Sequence, residues 1–514
     1  MQSLPEPFNA ATFFVDRHRD EGRGARRAFR FAGRSVTYAE LAESVDRCGN
    51  ALAALGVEIE QRVLIVLNDT PAFAAAFWGT AKLGAVAVPV SPSMTAAEYE
   101  FLLHDSRARV AIVEAAVAPR VLAVRARCPW LRAVVAVGSA PPAGALSFDD
   151  LLAAAKPSLE AAPTFREDIV YWGYTSGSTG MPKAAVHSHK DFVAAADLVG
   201  VGVFGLGPDD LVFSASKLFF AFGLGNSLYF PARVGAASVL VPERIDAERA
   251  FQVIAEERPS VFFTVPTLYA RMLAVDDAEH RWDLSSLRYC VSSGEALPPA
   301  IFDAWAERFG LELVEVVGST EALHDFIANR PGEARRGAAG RLVPGFEARL
   351  VDDAGAPVPD DTVGHLLVKG EPTAPYYWNR LDRTRATMQG EWLRTGDMFS
   401  RDADGFFHFA GRSDDMLKVA GVWVSPSEIE ALLVAHPAVL EAGVIGRADG
   451  HGLTRPHAFV VLKEGWAASD ELATALIELV RAHGGHRTPA SVTFVDDLPK
   501  TATGKVQRFR LRGA

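Results

Sequence analysis

The stretch YTSGSTGMPK, from Tyr174 to Lys183, places four serine or threonine side chains, two glycines and one lysine within ten residues. It directly follows the apolar run IVYW at 169–172, which is typical of a buried strand. Glycines let the backbone approach a ligand closely, and successive N–H groups can cradle an anion. The hydroxyl groups and the lysine add donors and positive charge. The stretch therefore predicts a polyphosphate-binding loop; taken alone, its alternative is a flexible surface loop.

The residue order separates this loop from two other motifs. A Walker A loop ends in Gly-Lys followed by serine or threonine, whereas Met181 and Pro182 stand before Lys183 here. The chain contains no G-x-S-x-G sequence, which places the nucleophile of many serine hydrolases. The sequence therefore disfavours a P-loop NTPase and a serine hydrolase of that class.

From about residue 60 to 320, short β-branched runs alternate with alanine-rich amphipathic stretches. This alternation is typical of α/β layers with mostly parallel sheets. The most apolar segment, 71–90, is interrupted by Lys82, Gly84 and Pro89, so we interpret it as a helix and a buried strand, and not as a membrane span. The strand candidates are RVLIVL (62–67), AVAVPV (85–90), RVAIV (109–113), LVFSAS (211–216), ASVLVP (237–242), SVFFTV (260–265) and LRYCVSS (287–293).

After about residue 340 the pattern changes. Strand-like runs in 346–370 are separated by the turn sequences DDAG and PDD, which indicates antiparallel β-structure. Farther on, Ser425, Pro426 and Glu428 form a helix-start signature. The unit that follows is expected to contain strands near 442–446 and 457–462, a helix near 469–482 and a strand at 491–495. We therefore predict a domain boundary near 412–415.

The composition limits the class of protein. A chain of 514 residues, 49% apolar and 22% charged, is expected to form two or more domains. The net charge of −11 argues against a dedicated nucleic-acid-binding protein. Cys48, Cys128 and Cys290 are too far apart in sequence for a disulfide framework or a zinc site, which fits a reducing compartment. The N-terminal segment does not have the pattern of a signal peptide, so we expect a cytoplasmic protein.

The phosphate loop also resembles the signature of the adenylate-forming enzymes, the superfamily of acyl-CoA synthetases, peptide-synthetase adenylation domains and luciferases. Further signatures follow in the expected order: SSGEAL (292–297), GSTEA (318–322), WLRTGD (392–397), GRSDDMLKVAG (411–421) and PKTATGKVQR (499–508). The resemblance implies an α/β fold with a large N-terminal domain, residues 1–412, made of two α/β layers plus a β-barrel-like subdomain. It also implies a small, mobile α+β C-terminal cap domain, residues 415–514.

The resemblance assigns an ATP site with Mg²⁺ to these motifs. Glu321 would be the metal ligand, since a carboxylate supplies the hard oxygen that Mg²⁺ prefers. Asp397 would accept both ribose hydroxyls, Arg412 would reach the ribose or a phosphate, and residues 294–296 would line the adenine. The expected ATP-binding residues are Thr175, Ser176, Gly177, Ser178, Thr179, Gly180, Lys183, Gly294, Glu295, Ala296, Ser319, Thr320, Asp397 and Arg412.

The resemblance also gives roles to three positions toward the C-terminus. Lys505 would contact the substrate carboxylate and the α-phosphate and stabilise the charge that develops there; without the resemblance it would belong to a solvated basic tail. Asp414 would be the hinge about which the cap turns between two reaction steps. Gly421 would accompany the thiol-bearing arm of CoA. The expected catalytic residues are Lys505, Glu321, Thr175 and Lys183.

Residues 217–231, 317–337 and 414–444 are especially similar to benzoate-CoA ligases, a subgroup in which the first two segments build the aryl pocket. A flat and mostly apolar slot suits an aromatic ring. The alternative is that the aromatic residues are ordinary core residues. The corresponding pocket residues here would be Phe220, Ala221, Phe222, Gly318 and His324.

Two departures from the subgroup concern the substrate. Phe222 stands where the benzoate enzymes commonly have tyrosine, and Asp325 replaces an apolar pocket residue. A carboxylate beside an aryl ring is costly unless it is paired. An amino or hydroxyl group on the ring could pair with it, which predicts a substituted benzoate such as 2-aminobenzoate. The alternative is that Asp325 turns outward or pairs with Arg330 or another protein cation.

Together these motifs predict an ATP-dependent, AMP-forming aryl carboxylate–CoA ligase. Its partners would be an aromatic carboxylic acid, ATP and coenzyme A, with Mg²⁺ as cofactor; neither nucleic acid nor a membrane is expected, and a homodimer stays open. Transfer to a carrier-protein thiol is the alternative within the superfamily, and nothing in the sequence suggests a luciferase-like oxygenase. A non-catalytic nucleotide-binding protein would be expected to lack Lys505 or Glu321, and both are present.

Overall fold

The structure is a computed structural model that describes residues 4–175, 182–419, 422–448, 454–483, 487–500 and 506–512. Several predicted site residues lie outside these ranges. They are Ser176, Gly177, Ser178, Thr179, Gly180, Gly421 and Lys505.

In the described part of the chain, a seven-stranded sheet carries the strands on either side of the phosphate loop. All neighbouring strands are parallel except the last pair, which forms an antiparallel hairpin. The strands are buried on both faces, as is usual for parallel sheets covered by helices. In spatial order they are Leu146–Ser147, Ala133–Val137, Val110–Glu114, Arg62–Val66, Val86–Pro89, Ile169–Thr175 and Lys183–Ser188.

A second sheet has nine strands within the described residues. Its central pairs are parallel, and the pairs at both ends are antiparallel. The carboxyl ends of parallel strands meet at one edge of a sheet, where α/β proteins commonly bind ligands. In spatial order the strands are Arg341–Leu342, Asp325–Ala328, Leu313–Gly318, Tyr289–Ser292, Val261–Thr264, Leu211–Ser214, Ala237–Leu240, Arg27–Phe31 and Arg34–Thr37.

Helices cover both sheets, and the largest buried cluster joins them. That cluster takes side chains from both sheets and from the helices Tyr38–Ala54 and Pro71–Lys82. The other α-helices of this part are Arg17–Asp20, Ala96–Ser106, Ala118–Arg125, Phe148–Ala154, His189–Ala195, Ala221–Leu224, Phe230–Val234, Ala247–Glu257, Pro266–Leu273, Ala278–Arg281, Pro299–Phe309 and Leu381–Thr387. Thr12–Asp16, Ala196–Val201 and Gly225–Tyr229 are π-helical, and Thr320–Ala322 is a 3₁₀ turn.

The barrel-like part is a five-stranded antiparallel sheet. The long strand Trp392–Arg401 pairs with three others, Gly364–Lys369, Met388–Gln389 and Phe407–Arg412, and Glu347–Val351 completes the sheet. The turn sequences noted above therefore join antiparallel strands, as predicted.

The C-terminal elements form a small α+β unit with its own apolar cluster. Ser425 caps the helix Pro426–Val434 by accepting a hydrogen bond from the Glu428 N–H, which agrees with the helix-start signature. The other elements are the strand pair Leu417–Val419 and Val422–Val424, the sheet Val439–Ala448, Thr454–Leu462 and Ser491–Phe494, and the helices Asp470–Arg481 and Arg508–Leu511.

The predicted fold class is therefore confirmed: two α/β layers, a barrel-like sheet and a small C-terminal α+β unit. The boundary near 412–415 and the mobility of the cap stay predictions. Cys48, Cys128 and Cys290 are buried free thiols. No helix in the described ranges is long and apolar enough to cross a bilayer.

A buried ion cluster fixes the N-terminal layer. Lys82, at the end of the helix Pro71–Lys82, contacts Asp46 on the neighbouring helix and lies 2.7 Å from Asp16 Oδ2. The Lys82 side chain is only 2% exposed, so its charge depends on these carboxylates for compensation. Burial raises the pKa of Asp16, and Lys82 offsets only part of that rise.

We predict that Lys82→Met destabilises this layer by about 3–5 kcal/mol, because it leaves two buried carboxylates with only the half-exposed Arg19, 3.4 Å from Asp46 and 3.8 Å from Asp16, as a nearby cation. The measurement is urea unfolding followed by tryptophan fluorescence at the first transition. Arg127→Ala is the control, since Arg127 forms only an exposed pair with Glu100 and its loss should leave the transition nearly unchanged. Equal effects of the two substitutions would contradict the prediction.

Candidate active site

The hairpin Ile169–Thr175 and Lys183–Ser188 holds the two ends of the phosphate loop side by side. Thr175 and Lys183 are its last paired residues. The Thr175 hydroxyl is buried and has no hydrogen-bond partner in the described structure. Gly173 is required next to it, because a Cβ there would lie 2.4 Å from Thr320 Cγ2. The hairpin therefore lies directly against the Ser319–Glu321 turn.

Three side chains from three separate parts of the fold meet beside this hairpin. The Tyr377 hydroxyl donates to Glu321 Oε1 at 2.6 Å and accepts from Lys183 Nζ at 2.6 Å. Lys183 Nζ is 3.6 Å from Glu321 Oε1. Tyr377 is held in place by a backbone bridge to Ala185 on the hairpin. The cluster thus contains one carboxylate, one ammonium group and one hydroxyl between them.

In this cluster, Glu321 and Lys183 each favour the charged form of the other. Burial alone would raise the pKa of Glu321, but Lys183 and the Tyr377 hydroxyl together hold that pKa below its ordinary value. Burial lowers the pKa of Lys183, and Glu321 opposes that change. Glu321 is therefore ionised at neutral pH. Burial and the adjacent Glu321 charge raise the pKa of Tyr377, which stays a neutral donor.

The donor set fits a Mg²⁺ ion. An ionised carboxylate and the unpartnered Thr175 hydroxyl are hard oxygens, and Mg²⁺ uses few protein ligands when phosphates and water supply the rest. Glu321 would hold the ion, which, when bound, would neutralise charge on the phosphate oxygens.

His187 ties the hairpin to the Ser319–Glu321 turn. It is fully buried, with Nε2 2.8 Å from the Thr320 carbonyl oxygen and Nδ1 3.3 Å from Asp191 Oδ2. Both ring nitrogens therefore face hydrogen-bond acceptors, a backbone carbonyl and a carboxylate. Asp191 is fixed in turn by the backbone N–H and the hydroxyl of Ser188. The peptide carbonyl just before Glu321 is thereby anchored.

The predicted adenine segment follows the strand Tyr289–Ser292. Gly294 has a φ of +93°, and Glu295 accepts hydrogen bonds from the Thr267 hydroxyl at 3.2 Å and from the Val506 N–H at 3.3 Å. Just beyond Ala296, the Leu297 N–H donates to the buried carboxyl of Glu315 at 2.9 Å. Burial raises the pKa of Glu315 to about 8, so it is mostly protonated at neutral pH.

The predicted ribose residues lie on two paired strands. Asp397 and Arg412 are direct partners across the Trp392–Arg401 and Phe407–Arg412 strands, with Arg412 Nη1 3.1 Å from Asp397 Oδ1. Arg412 Nε is 3.5 Å from Asp414 Oδ1, in the turn where we predict the hinge. The Arg412 charge also contributes to the low pKa of Glu321. Arg412 is therefore close enough to influence the Lys183–Tyr377–Glu321 cluster.

Two of the predicted aryl residues, Phe222 and Gly318, lie against a third, His324. Its ring centroid is 4.4 Å from that of Phe230 and 5.4 Å from that of Phe222. Gly225 permits this packing, because a Cβ there would lie 2.3 Å from the His324 ring. Gly318 approaches the same turn, with the His324 carbonyl oxygen 2.4 Å from where its Cβ would be.

Asp325 is buried, at 2% exposure, and pairs with the neighbouring His324, whose Nδ1 is 2.9 Å from Asp325 Oδ2. It therefore neither turns outward nor pairs with Arg330. The partner of Asp325 is the histidine beside it, a residue that the sequence analysis assigned to the aryl pocket. His324 Nε2 lies 3.3 Å from the Phe222 carbonyl oxygen, so both ring nitrogens face acceptors.

Phe220 and Ala221 occupy the start of the helix Ala221–Leu224, and both are partly exposed. The loop before them is fixed by Asp69, which accepts from the Leu218 N–H at 2.9 Å and lies 3.8 Å from Lys217 Nζ. Burial raises the pKa of Asp69 to about 6, despite Lys217. Asp69, just after the strand Arg62–Val66, thus anchors this loop to the seven-stranded sheet.

Several residues of this region were not found from the sequence. Tyr377 lies in the run PYYW at 375–378, and an aromatic cluster in a polar stretch was the available signal. His187 is four residues after Lys183 and falls on the same strand, which is a weaker indication that it lies near the site. Glu315 and Thr267 gave no signal, because only tertiary packing brings them to the site. Phe230 was included only as part of the segment 217–231.

Comparison with known proteins gives a consistent result. Residues 16–378 match the AMP-binding enzyme family, and residues 428–505 match the AMP-binding enzyme C-terminal domain. The chain is 44% identical to a benzoate–CoA ligase of Thauera aromatica, covering 99% of this chain and 97% of that protein. It is 45% identical to a 4-hydroxybenzoate–CoA/benzoate–CoA ligase of Rhodopseudomonas palustris, covering 98% and 94%. The crystal structure of an anthranilate CoA ligase with anthranoyl-AMP is similar, with a TM-score of 0.96, 42% identity, and coverage of 99% and 98%.

We predict that Tyr377→Phe weakens MgATP binding about 10-fold, the effect of losing one hydrogen bond to a charged group. Without the hydroxyl, Lys183 and Glu321 can pair directly, and each becomes less available to phosphate or metal. Isothermal titration with a non-hydrolysable ATP analogue and Mg²⁺ measures the change. Tyr376→Phe is the matched control, since the neighbouring Tyr376 is 38% exposed. Unchanged affinity in Tyr377→Phe would contradict the prediction.

Proposed function

The chain belongs to the AMP-binding enzyme family, and from this premise we propose that it is an aryl carboxylate–CoA ligase for amino- or hydroxy-substituted benzoates. The observation that carries the proposal is the Lys183–Tyr377–Glu321 cluster, with the aromatic rings around His324 on the same turn as Glu321. One part suits a polyphosphate with its metal, and the other suits a flat ring. The matched relatives act on benzoate, 4-hydroxybenzoate or anthranilate. Because they are CoA ligases, they do not favour transfer to a carrier protein.

In the first proposed step, the aryl carboxylate attacks the α-phosphorus of ATP. A new oxygen–phosphorus bond forms, the bond to the bridging oxygen breaks, and pyrophosphate leaves. Thr175 and Lys183, with the loop between them, hold the β- and γ-phosphates, while Asp397 and Arg412 hold the ribose. Lys505 stabilises charge at the reacting oxygens. The product is an aryl-AMP, a mixed anhydride.

In the second proposed step, the C-terminal domain turns about Asp414 and the CoA thiol attacks the acyl carbon. A thioester forms, AMP leaves and the thiol proton passes to solvent. The Gly421 segment accompanies the thiol-bearing arm. The mechanism needs no protein nucleophile, in agreement with the burial of all three cysteine thiols. Burial raises the pKa of Cys48 and of Cys290 to about 12, so neither is ionised at neutral pH.

The proposed substrate preference depends on Asp325. Its carboxylate is already bonded through Oδ2 to His324, so it makes the pocket wall polar without leaving an unpaired buried charge. The Asp325 Oδ1 atom lies 2.6 Å from the position of a Gly318 Cβ, toward the predicted pocket. An amino or hydroxyl group on the substrate ring can donate to this side of the carboxylate. Unsubstituted benzoate offers no such donor.

The reaction class is tested with purified protein, ATP, Mg²⁺ and 2-aminobenzoate. We expect pyrophosphate release that requires the acid, and steady AMP formation only when CoA is added. Lys505→Ala should slow the acid-dependent release about 10²- to 10³-fold, the effect of removing one group that stabilises the transition state. Arg481→Ala, an exposed change on a helix of the same domain, is the control and should retain activity. Pyrophosphate release that is independent of any aryl acid would rule out the proposed reaction.

For the substrate preference, we predict that Asp325→Ile shifts the kcat/KM ratio of 2-aminobenzoate to benzoate about 10- to 100-fold toward benzoate, through loss of a charge-assisted hydrogen bond. The acids to compare are benzoate, 2-aminobenzoate and the hydroxybenzoates. Asp325→Asn is the matched control for volume, because it keeps the shape and removes the charge. The same ratio in wild type and Asp325→Ile would exclude a role for Asp325 in selecting the acid.

A further inference from the structure

One helix of the N-terminal part faces the C-terminal unit with two polar side chains. Thr267 and Arg271 lie four residues apart on the helix Pro266–Leu273, and therefore on the same face. Arg271 Nε donates to Glu441 Oε1 at 3.3 Å, and Arg271 Nη2 is 3.8 Å from Asp497 Oδ1. Glu441 and Asp497 both belong to the C-terminal unit. Arg271 thus joins two parts of the fold that are far apart in sequence.

The same two carboxylates also hold Lys500. Lys500 Nζ donates to Asp497 Oδ1 at 3.0 Å and forms an ion pair with Glu441 Oε2. On the C-terminal unit two carboxylates thus share one ammonium group, and Arg271 of the N-terminal part supplies the second cation that brings the network close to neutral. The Glu441 side chain is only 8% exposed, so solvent screens its contacts poorly. Arg271 compensates the charges of Glu441 and Asp497 only while the C-terminal unit is docked as observed.

Lys500 stands at the base of the segment that contains Lys505. An antiparallel bridge pairs Lys500 with Val506, and the Gln507 N–H donates to the Pro499 carbonyl at 2.7 Å. Residues 501–505 lie outside the described ranges, but both of their neighbours are placed. The Arg271 network therefore fixes one end of this segment relative to the N-terminal part.

Thr267 fixes the other end through Glu295. The Thr267 hydroxyl donates to Glu295 Oε2 at 3.2 Å, and Glu295 Oε1 accepts from the Val506 N–H at 3.3 Å. Glu295 belongs to the predicted adenine segment. A single helix thus positions both ends of the segment against the nucleotide side of the site.

We propose that Arg271 is a positioning residue for the adenylate-forming step, because it docks the C-terminal domain in the arrangement that brings the Lys505 segment to the nucleotide. This inference rests on the function proposed above. When the domain turns for the second step, Arg271 separates from Glu441 and Asp497, so the second step does not depend on it. A purely structural salt bridge would affect both steps alike.

The test measures the two half-reactions of Arg271→Ala separately. Acid-dependent exchange between ATP and labelled pyrophosphate reports the first step, and formation of aryl-CoA from synthetic aryl-AMP and CoA reports the second. We expect the first to fall about tenfold, within the range measured for coupled ion pairs, and the second to stay within about twofold of wild type. Arg281→Ala is the matched control, because Arg281 forms an exposed pair with Glu248, 3.0 Å away, inside the N-terminal part.

Glu441→Gln provides a second variant that keeps the side-chain volume, and it serves alone if Arg271→Ala does not fold. The loss in the double variant should be smaller than the two single losses combined, because both changes remove the shared Arg271–Glu441 contact. Equal losses in both half-reactions, or no loss in the first, would overturn the inference while leaving the proposed function intact. A wild-type protein without acid-dependent exchange would instead refute the proposed function itself.

Discussion

The site depends on the cost of keeping the Glu321 carboxylate charged inside the protein. Its negative charge is retained because Lys183 and the Tyr377 hydroxyl compensate for lost solvation. Glu321 lies on the 3₁₀ turn between two strands of the nine-stranded sheet, and Lys183 lies on the seven-stranded sheet. Tyr377 lies between two strands of the barrel-like sheet, Gly364–Lys369 and Met388–Gln389. One compensated charge therefore requires three separate parts of the fold to meet within hydrogen-bonding distance.

The surrounding structure makes this meeting rigid. Gly173 lets the hairpin approach Thr320, and His187 binds the carbonyl that precedes Glu321. The proposed phosphate site and the proposed aryl pocket differ in polarity, yet both would draw on residues of one short turn. That turn carries Glu321 toward the hairpin and His324 into the aromatic cluster, and Leu323 between them adopts a left-handed φ of +65°. Such backbone strain is tolerated where the chain must serve two neighbouring functions.

The C-terminal unit is held by contacts of a different kind. Its own apolar cluster lets it fold around its own core. The Arg271–Glu441 ion pair and the Val506–Glu295 hydrogen bond join it to the N-terminal part, where Val434 also packs against an apolar cluster. Polar and ionic contacts exchange readily with water, so a domain held by them can undock at modest cost. The proposed alternation between two half-reactions needs this property, because a large apolar interface would hold the cap in one position.

The sequence by itself determined the local elements, the fold class and the order of the motifs. Strand periodicity, the Ser425 cap and the glycine-rich loop depend on neighbours in the chain, and the strands at 62–66 and 261–264 appear where the patterns predicted them. Only the tertiary structure decided that Tyr377 bridges Lys183 and Glu321, that Asp325 pairs with His324, and that Arg271 reaches Glu441. A residue's partner in a buried ion pair is set by the packing of whole sheets and domains. The hydrophobic periodicity of the sequence reports local elements and carries no information about that packing.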